Sequence, residues 1–197
     1  ATGFAQDKSV RFDKKIFKER KAEFKEAEDA FKDANRIFEM GFQVWKDAIP
    51  LYEAANKFNP DNSELNYKLG ECYLASIFKS KALPYFIHAY ELTPTISKEI
   101  HLKIGIGYQL QYNFDKALYE FGLYRKTLNN NTDAAKIVEL SRLIEQCKAG
   151  KTLMDHPERV WIDNLGENIN SKYPEYAPVI SADESLMMFT GKRADGV

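Results

Sequence analysis

The residues with the widest chemical range in this chain are two cysteines, Cys72 and Cys147, and three histidines, His88, His101 and His156. Thiolate and imidazole groups bind zinc and serve as nucleophile and base, but such sites need clustered ligands or an orienting partner. The two cysteines share no short spacing, no histidine cluster accompanies them, and the histidines are scattered singly. Cys72, between Gly70 and Tyr73, reads as a small buried hydrophobe. No glycine-rich phosphate loop and no nucleophile elbow is present. The carboxylates fall mostly on helix faces that read as solvated. The expectation is a chain that is not an enzyme, with no metal and no cofactor.

Composition narrows the class further. The 197 residues suit one or two domains, and 28 basic against 29 acidic residues leave a net charge of −1. That balance gives no reason to propose nucleic acid or an anionic membrane as partner. No stretch approaches the roughly 20 apolar residues of a membrane span. Thirteen Phe and eleven Tyr are enough large side chains for a continuous core.

The elements that hold these residues repeat. Ala48, Tyr52, Ala55 and Pro60 recur 34 residues later as Ala82, Phe86, Ala89 and Pro94, and the alanine and aromatic return as Ala117 and Phe121. Interleaved with them, Leu69, Gly70 and Tyr73 reappear as Ile104, Gly105 and Tyr108. A fixed period of this length means one helix–turn–helix unit copied along the chain. The pattern Leu-Gly-x-x-Tyr, then Ala, Phe, Ala and Pro resembles the tetratricopeptide repeat. Residues 63–96 match it best, with only the leading Trp replaced, by Asn66. Residues 97–131 match more loosely, Tyr124 standing for the second small residue and Asn129 for the last Pro. An earlier unit, about 28–62, keeps its second helix but lacks the Leu-Gly step. The resemblance implies an all-α tetratricopeptide-repeat solenoid, a right-handed superhelix of helical hairpins, with a short β segment at the C-terminus.

Each signature residue has a packing role. Gly70 and Gly105 let a paired helix approach closely, and Ala82 and Ala89 lie on one face where helices cross. Tyr73 and Phe86 fill the space between helices. Pro60 and Pro94 end theirs, and Asp61-Asn62-Ser63 offers caps for the next. Helices are predicted at about 46–58, 64–76, 80–92, 97–110 and 114–127. A capping helix at about 132–148 carries Ile137, Leu140, Ile144 and Cys147 on one face, with Gly150 behind it as a stop.

Two stretches lie outside the repeats. Residues 1–10 read as a tail: Ala1-Thr-Gly-Phe-Ala-Gln6 resembles the end of a secretory signal peptide, the alternative being an ordinary frayed tail or a cloning remnant. From Arg11 to Met40, Phe17, Phe24, Phe31 and Phe38 fall seven apart, which predicts one long helix joining a solenoid that spans 11–150. A coiled-coil dimer along this stripe is the alternative, with Arg20 on its seam against it.

After Gly150 the pattern changes to linker and strands. Val160 and Ile162 alternate with exposed positions, Tyr173–Pro178 is held extended by its prolines, Ser181–Glu184 forms a turn, and Leu186–Thr190 is strand-like. Ile169-Asn-Ser171, Tyr176–Ser181, Asp183-Glu184 and Phe189-Thr-Gly-Lys-Arg193 resemble the opening blade of a WD-type, TolB-like β-propeller, Gly191 replacing the usual serine. One blade cannot close a ring, so a longer protein is expected beyond Val197.

A tetratricopeptide solenoid running into such a blade is similar to a group of Bacteroidetes cell-envelope proteins. Those usually end in an outer-membrane-protein-A type peptidoglycan-binding domain, and some belong to type IX secretion and gliding machinery. The resemblance implies a non-catalytic scaffold for protein partners in the periplasm, associated with the outer membrane. Peptidoglycan contact would come only through domains absent from this sequence. The alternatives are a cytoplasmic co-chaperone-like adaptor and the accessory region of a propeller-containing serine peptidase. By the family's geometry the partner groove carries Glu64, Tyr67, Glu71 and Leu74 in one repeat and Glu99, Leu102, Ile106 and Gln109 in the next. Co-chaperone adaptors grip a C-terminal carboxylate with Lys and Asn; Tyr67 and Glu71 stand at those positions here, so that grip is missing.

Overall fold

A computed structural model describes residues 7–192, which fall into two units that divide between His156 and Pro157. The first unit is helical. Its helices are α1 (Lys21–Glu39), α2 (Trp45–Phe58), α3 (Ser63–Leu74), α4 (Ala82–Leu92), α5 (Ile100–Leu110), α6 (Phe114–Arg125) and α7 (Ala134–Asp155). Packing follows chain order: α1 on α2, α3 on α4 and α5 on α6 form helical hairpins, and each hairpin packs on the next. The second unit holds a two-stranded antiparallel sheet. The described chain is therefore mostly α-helical with a short C-terminal β segment.

The small and aromatic positions line the interior. Ala48, Tyr52, Ala55, Ala82, Phe86, Ala89, Ala117 and Phe121 are all fully buried. Gly70 on α3 faces the Phe86 ring on α4, and Gly105 on α5 faces Phe121 on α6; an added Cβ would meet those rings at 2.7 and 2.5 Å. The same contact is thus made twice, one hairpin apart. Gly107 makes a comparable approach to Leu83, between hairpins.

Helix ends follow from local chemistry. Asn59 and Thr93 end α2 and α4 outside the helical conformation, Thr93 extended, because the prolines that follow, Pro60 and Pro94, disfavour the helical region before them. Asn62 caps α3, its side chain accepting from Leu65 N at 2.8 Å. Asn66 works as a polar tie. Its amide donates to the carbonyls of Pro60 and Asn62, at 2.6 and 2.8 Å, and accepts from Asn56 at 3.1 Å.

Three expectations are corrected. The long helix does not begin at Arg11; α1 starts at Lys21, and residues 11–20 turn back irregularly. Phe12 stacks on Phe31 at 4.9 Å and Phe17 on Phe24 at 5.7 Å, so the aromatic spacing is satisfied by reversal rather than by helix. Gly150 is no stop: α7 runs through it to Asp155, and the glycine serves instead as a seat for the ring of Phe114, which lies against it. The helical region accordingly reaches His156 instead of 150.

The tail is corrected in part; residues 1–6, with the signal-like motif, lie outside the described residues. Residues 7–10 form a strap across the turns after α2 and α4. Lys8 N donates to Leu92 O at 2.9 Å and Val10 N to Asp61 O at 2.7 Å. The Val10 carbonyl accepts from the side chains of Asn59 and Asn62, both at 2.9 Å. Ser9 Oγ accepts from Ser63 N at 2.9 Å, and Thr93 donates to Asp7 at 2.8 Å.

In the second unit, β1 (Glu175–Ile180) pairs with β2 (Met187–Gly191). The register slips between Tyr176 and Val179, where Ala177 takes φ +49° and Pro178 has no N–H to donate. Asp183 closes the turn, accepting from the Ser181 and Ser185 hydroxyls at 2.6 and 2.9 Å. Val160–Asn164, expected as a strand, pairs with no strand among the described residues, and Val160, Trp161 and Ile162 are exposed. Arg193, the last residue of the blade-like motif, lies outside the described residues.

Candidate functional site

The eight candidate groove residues sit on or beside α3 and α5, the first helices of two successive hairpins. They form a row whose members reach forward to the next hairpin. The Tyr67 hydroxyl donates to Ser97 Oγ at 3.2 Å, and its ring meets Phe86 edge-on at 5.7 Å. Burial pushes that phenol up to about 12, so it stays a neutral donor.

Glu71 is buried, and Lys103 Nζ lies 2.9 Å from its carboxylate. Glu99 precedes α5 and pairs with Lys136 at 2.9 Å, a bond that raises the lysine's pKa. Gln109 accepts no charge but donates to Gln146 on α7 at 3.3 Å. Leu102 and Ile106 pack into the core beneath α6 and α7, and Leu74 packs in the core around Phe86. Glu64 is the freest, exposed and paired with Lys68 at 2.6 Å.

The row thus does two things at once. Its buried members fix each hairpin to the next, and its polar edges, at Glu64, Glu99 and Gln109, remain open to solvent on one side. A surface of this kind offers hydrogen bonds and charge over a strip of two successive hairpins.

The forward partners Ser97, Lys103, Lys136 and Gln146 were not singled out from sequence. Lys103 follows Glu71 by 32 residues and Lys136 follows Glu99 by 37, so a search for opposite charges near the repeat period would have found both pairs.

The cysteines and histidines stay apart. Cys72 and Cys147 are both free and fully buried, and desolvation pushes the Cys72 thiol up to about 12. His101 Nδ1 lies 2.7 Å from Glu120 across the α5–α6 hairpin, and His88 lies 3.1 Å from Asp61. Among the described residues no group of three or more His, Cys, Asp or Glu is placed to hold a metal ion, and no helix is long and apolar enough to cross a membrane. Compared with models of known families and with curated protein sequences, the chain matches none.

Proposed function

We propose that this chain is a non-catalytic scaffold that holds protein partners, built as a tetratricopeptide-type solenoid and working in the periplasm at the outer membrane. The observation that carries the reading is the repeated registration of its hairpins. Gly70 against Phe86 and Gly105 against Phe121 set the same helix spacing twice. Helices spaced so regularly stack into an extended wall, with the row from Glu64 to Gln109 along one side. Such a wall recognises a partner by length and pattern.

The sheet adds support for a propeller continuing from it. Tyr176, Val179, Ile180 and Met188 are exposed on an isolated pair of strands, which is the arrangement expected of strands that belong to a larger sheet. On that reading the whole protein joins an envelope-anchoring or type IX secretion complex, with any hold on peptidoglycan lying in other domains.

The test is a quantitative pull-down from envelope extract with the parent chain and with Glu64→Lys, Tyr67→Ala and Leu102→Ala, each checked for an unchanged helical spectrum. Loss of at least one partner in a folded variant is expected. Unchanged recovery of every partner would refute the row as the interface.

A further inference from the structure

A second surface, sharing no residue with the row on α3 and α5, lies where the first turns of α2 meet the connection between α3 and α4. Lys46, Ile49 and Glu53 supply one wall from α2, and Tyr73 with residues 75–79 and Lys81 supplies the other, around a groove of about 750 Å³. Its apolar side chains face outward: Ile77 is 89% and Phe78 54% exposed. This exposure is built in. Ser76 Oγ donates to Tyr73 O at 2.8 Å and accepts from Phe78 N at 2.9 Å, and Gln111 donates to Ser80 O at 3.3 Å. A short 3₁₀ turn, Lys79–Lys81, completes the connection.

The charges in the groove have one sign to spare. Glu53 accepts a hydrogen bond from the Tyr73 hydroxyl and is one carboxylate against three lysines in the groove lining. Lys46, Lys79 and Lys81 form no ion pair among the described residues, although the chain as a whole carries a net charge of −1. Lys81 lies over the rings of Tyr73 and Phe78, at 5.8 and 5.1 Å, which keeps its ammonium beside the apolar floor. Apolar floor and unpaired cations together specify the occupant.

We propose that this groove docks an acidic, apolar peptide segment of a partner protein. The segment's bulky side chains pack on Ile49, Ile77 and Phe78, and its carboxylates meet the three lysines. Burial of the exposed apolar pair supplies affinity, and the charges supply selection against basic segments. An anionic bilayer is disfavoured, because the surface is concave.

The experiment uses two pooled peptide libraries of about twelve residues, enough to span the groove when extended. One alternates Asp or Glu with Leu, Phe or Trp; the other has Lys or Arg at the acidic positions. Binding to the 197-residue chain is read by fluorescence anisotropy, beside flotation with phosphatidylcholine–phosphatidylglycerol vesicles. The acidic library should be retained, less so as salt rises, and selected peptides should bind at least about tenfold more weakly to Lys79→Glu/Lys81→Glu and to Ile77→Ser/Phe78→Ser. All the substituted side chains lie at the surface, so the variants should melt as the parent does. Equal retention of the basic library, no retention of either, indifference to the charge reversals, or flotation that depends on Ile77 would each overturn the proposal. None of these outcomes bears on the row from Glu64 to Gln109.

Discussion

Gly150 of α7 lies directly under the ring of Phe114 at the start of α6, so the last helix is seated by the absence of a side chain. The contact repeats in kind what Gly70 does for Phe86 and Gly105 for Phe121. The three differ in freedom. Phe86 and Phe121 are fully buried, whereas Phe114 is only partly so and can swing.

Alanine at these glycines should therefore separate them. Gly70→Ala and Gly105→Ala should each destabilise by about 1–3 kcal/mol through overpacking. Gly150→Ala should cost less, because ring movement relieves the clash and alanine gains up to about 1 kcal/mol of helix propensity. Urea melts of the three variants check the order; a Gly150→Ala loss equal to the other two would mean that Phe114 is as fixed as they are.

The alanine positions test the helix crossings. Ala82 and Ala89 are fully buried, so Ala82→Leu and Ala89→Leu should each cost about 1–3 kcal/mol. Melting temperatures matching the parent would contradict the packing of α4 described above.

Asn66→Leu should destabilise by about 1 kcal/mol, since it removes the donor to the Pro60 carbonyl and the acceptor of the Asn56 amide, while the Asn62 carbonyl keeps the Asn66 backbone N–H. Replacing Asn66 should cost less once Asn56→Ala is already present, because only the Pro60 carbonyl then loses its partner. Equilibrium unfolding of both variants measures it.

Cys72, with its thiol held up at about 12 and no solvent contact, should not react with a disulfide reagent at pH 8 while the chain is folded. Both thiols should titrate at once in urea. Rapid labelling of either cysteine in native buffer would show that its helix opens far more readily than its burial implies.

In the hairpin, hydrogen bonds from Ser181 and Ser185 hold the Asp183 carboxylate down at about 2, below its ordinary 3.8. A depressed folded pKa stabilises above the ordinary value and is lost as pH falls through the folded one. The turn should thus loosen between about pH 4 and 2. Amide exchange at Ser185 and Leu186 should report it, and Asp183→Asn should remove the pH dependence.

What could be read from the sequence was whatever obeys a local period. Ala48, Ala82 and Ala117 announced the helix crossings because small residues recur where backbones meet. Phe17 misled because its spacing from Phe24 is the same whether the chain continues as helix or doubles back. Gly150 misled for a related reason: a glycine behind a helix reads as a stop, and the ring that requires it lies 36 residues earlier, at Phe114. The groove positions rested on family geometry, while their partners, such as Lys103 for Glu71, are set by how successive hairpins stack. The strap left no sequence signal, since it binds largely through backbone groups and short polar side chains.

That strap has a kinetic meaning. Almost every other contact in the helical unit joins neighbours in sequence and can form early, within a hairpin or between adjacent ones. The bond from Lys8 to Leu92 and that from Thr93 to Asp7 instead close a loop of more than 80 residues. Their partners, the turns after Phe58 and Leu92, exist only once α2 and α4 have formed. Docking of residues 7–10 is therefore a late event in folding, and it adds a second tie between two hairpins that already pack on one another. Amides at the ends of α2 and α4 should exchange together, at one rate, as parts of a single cooperative unit.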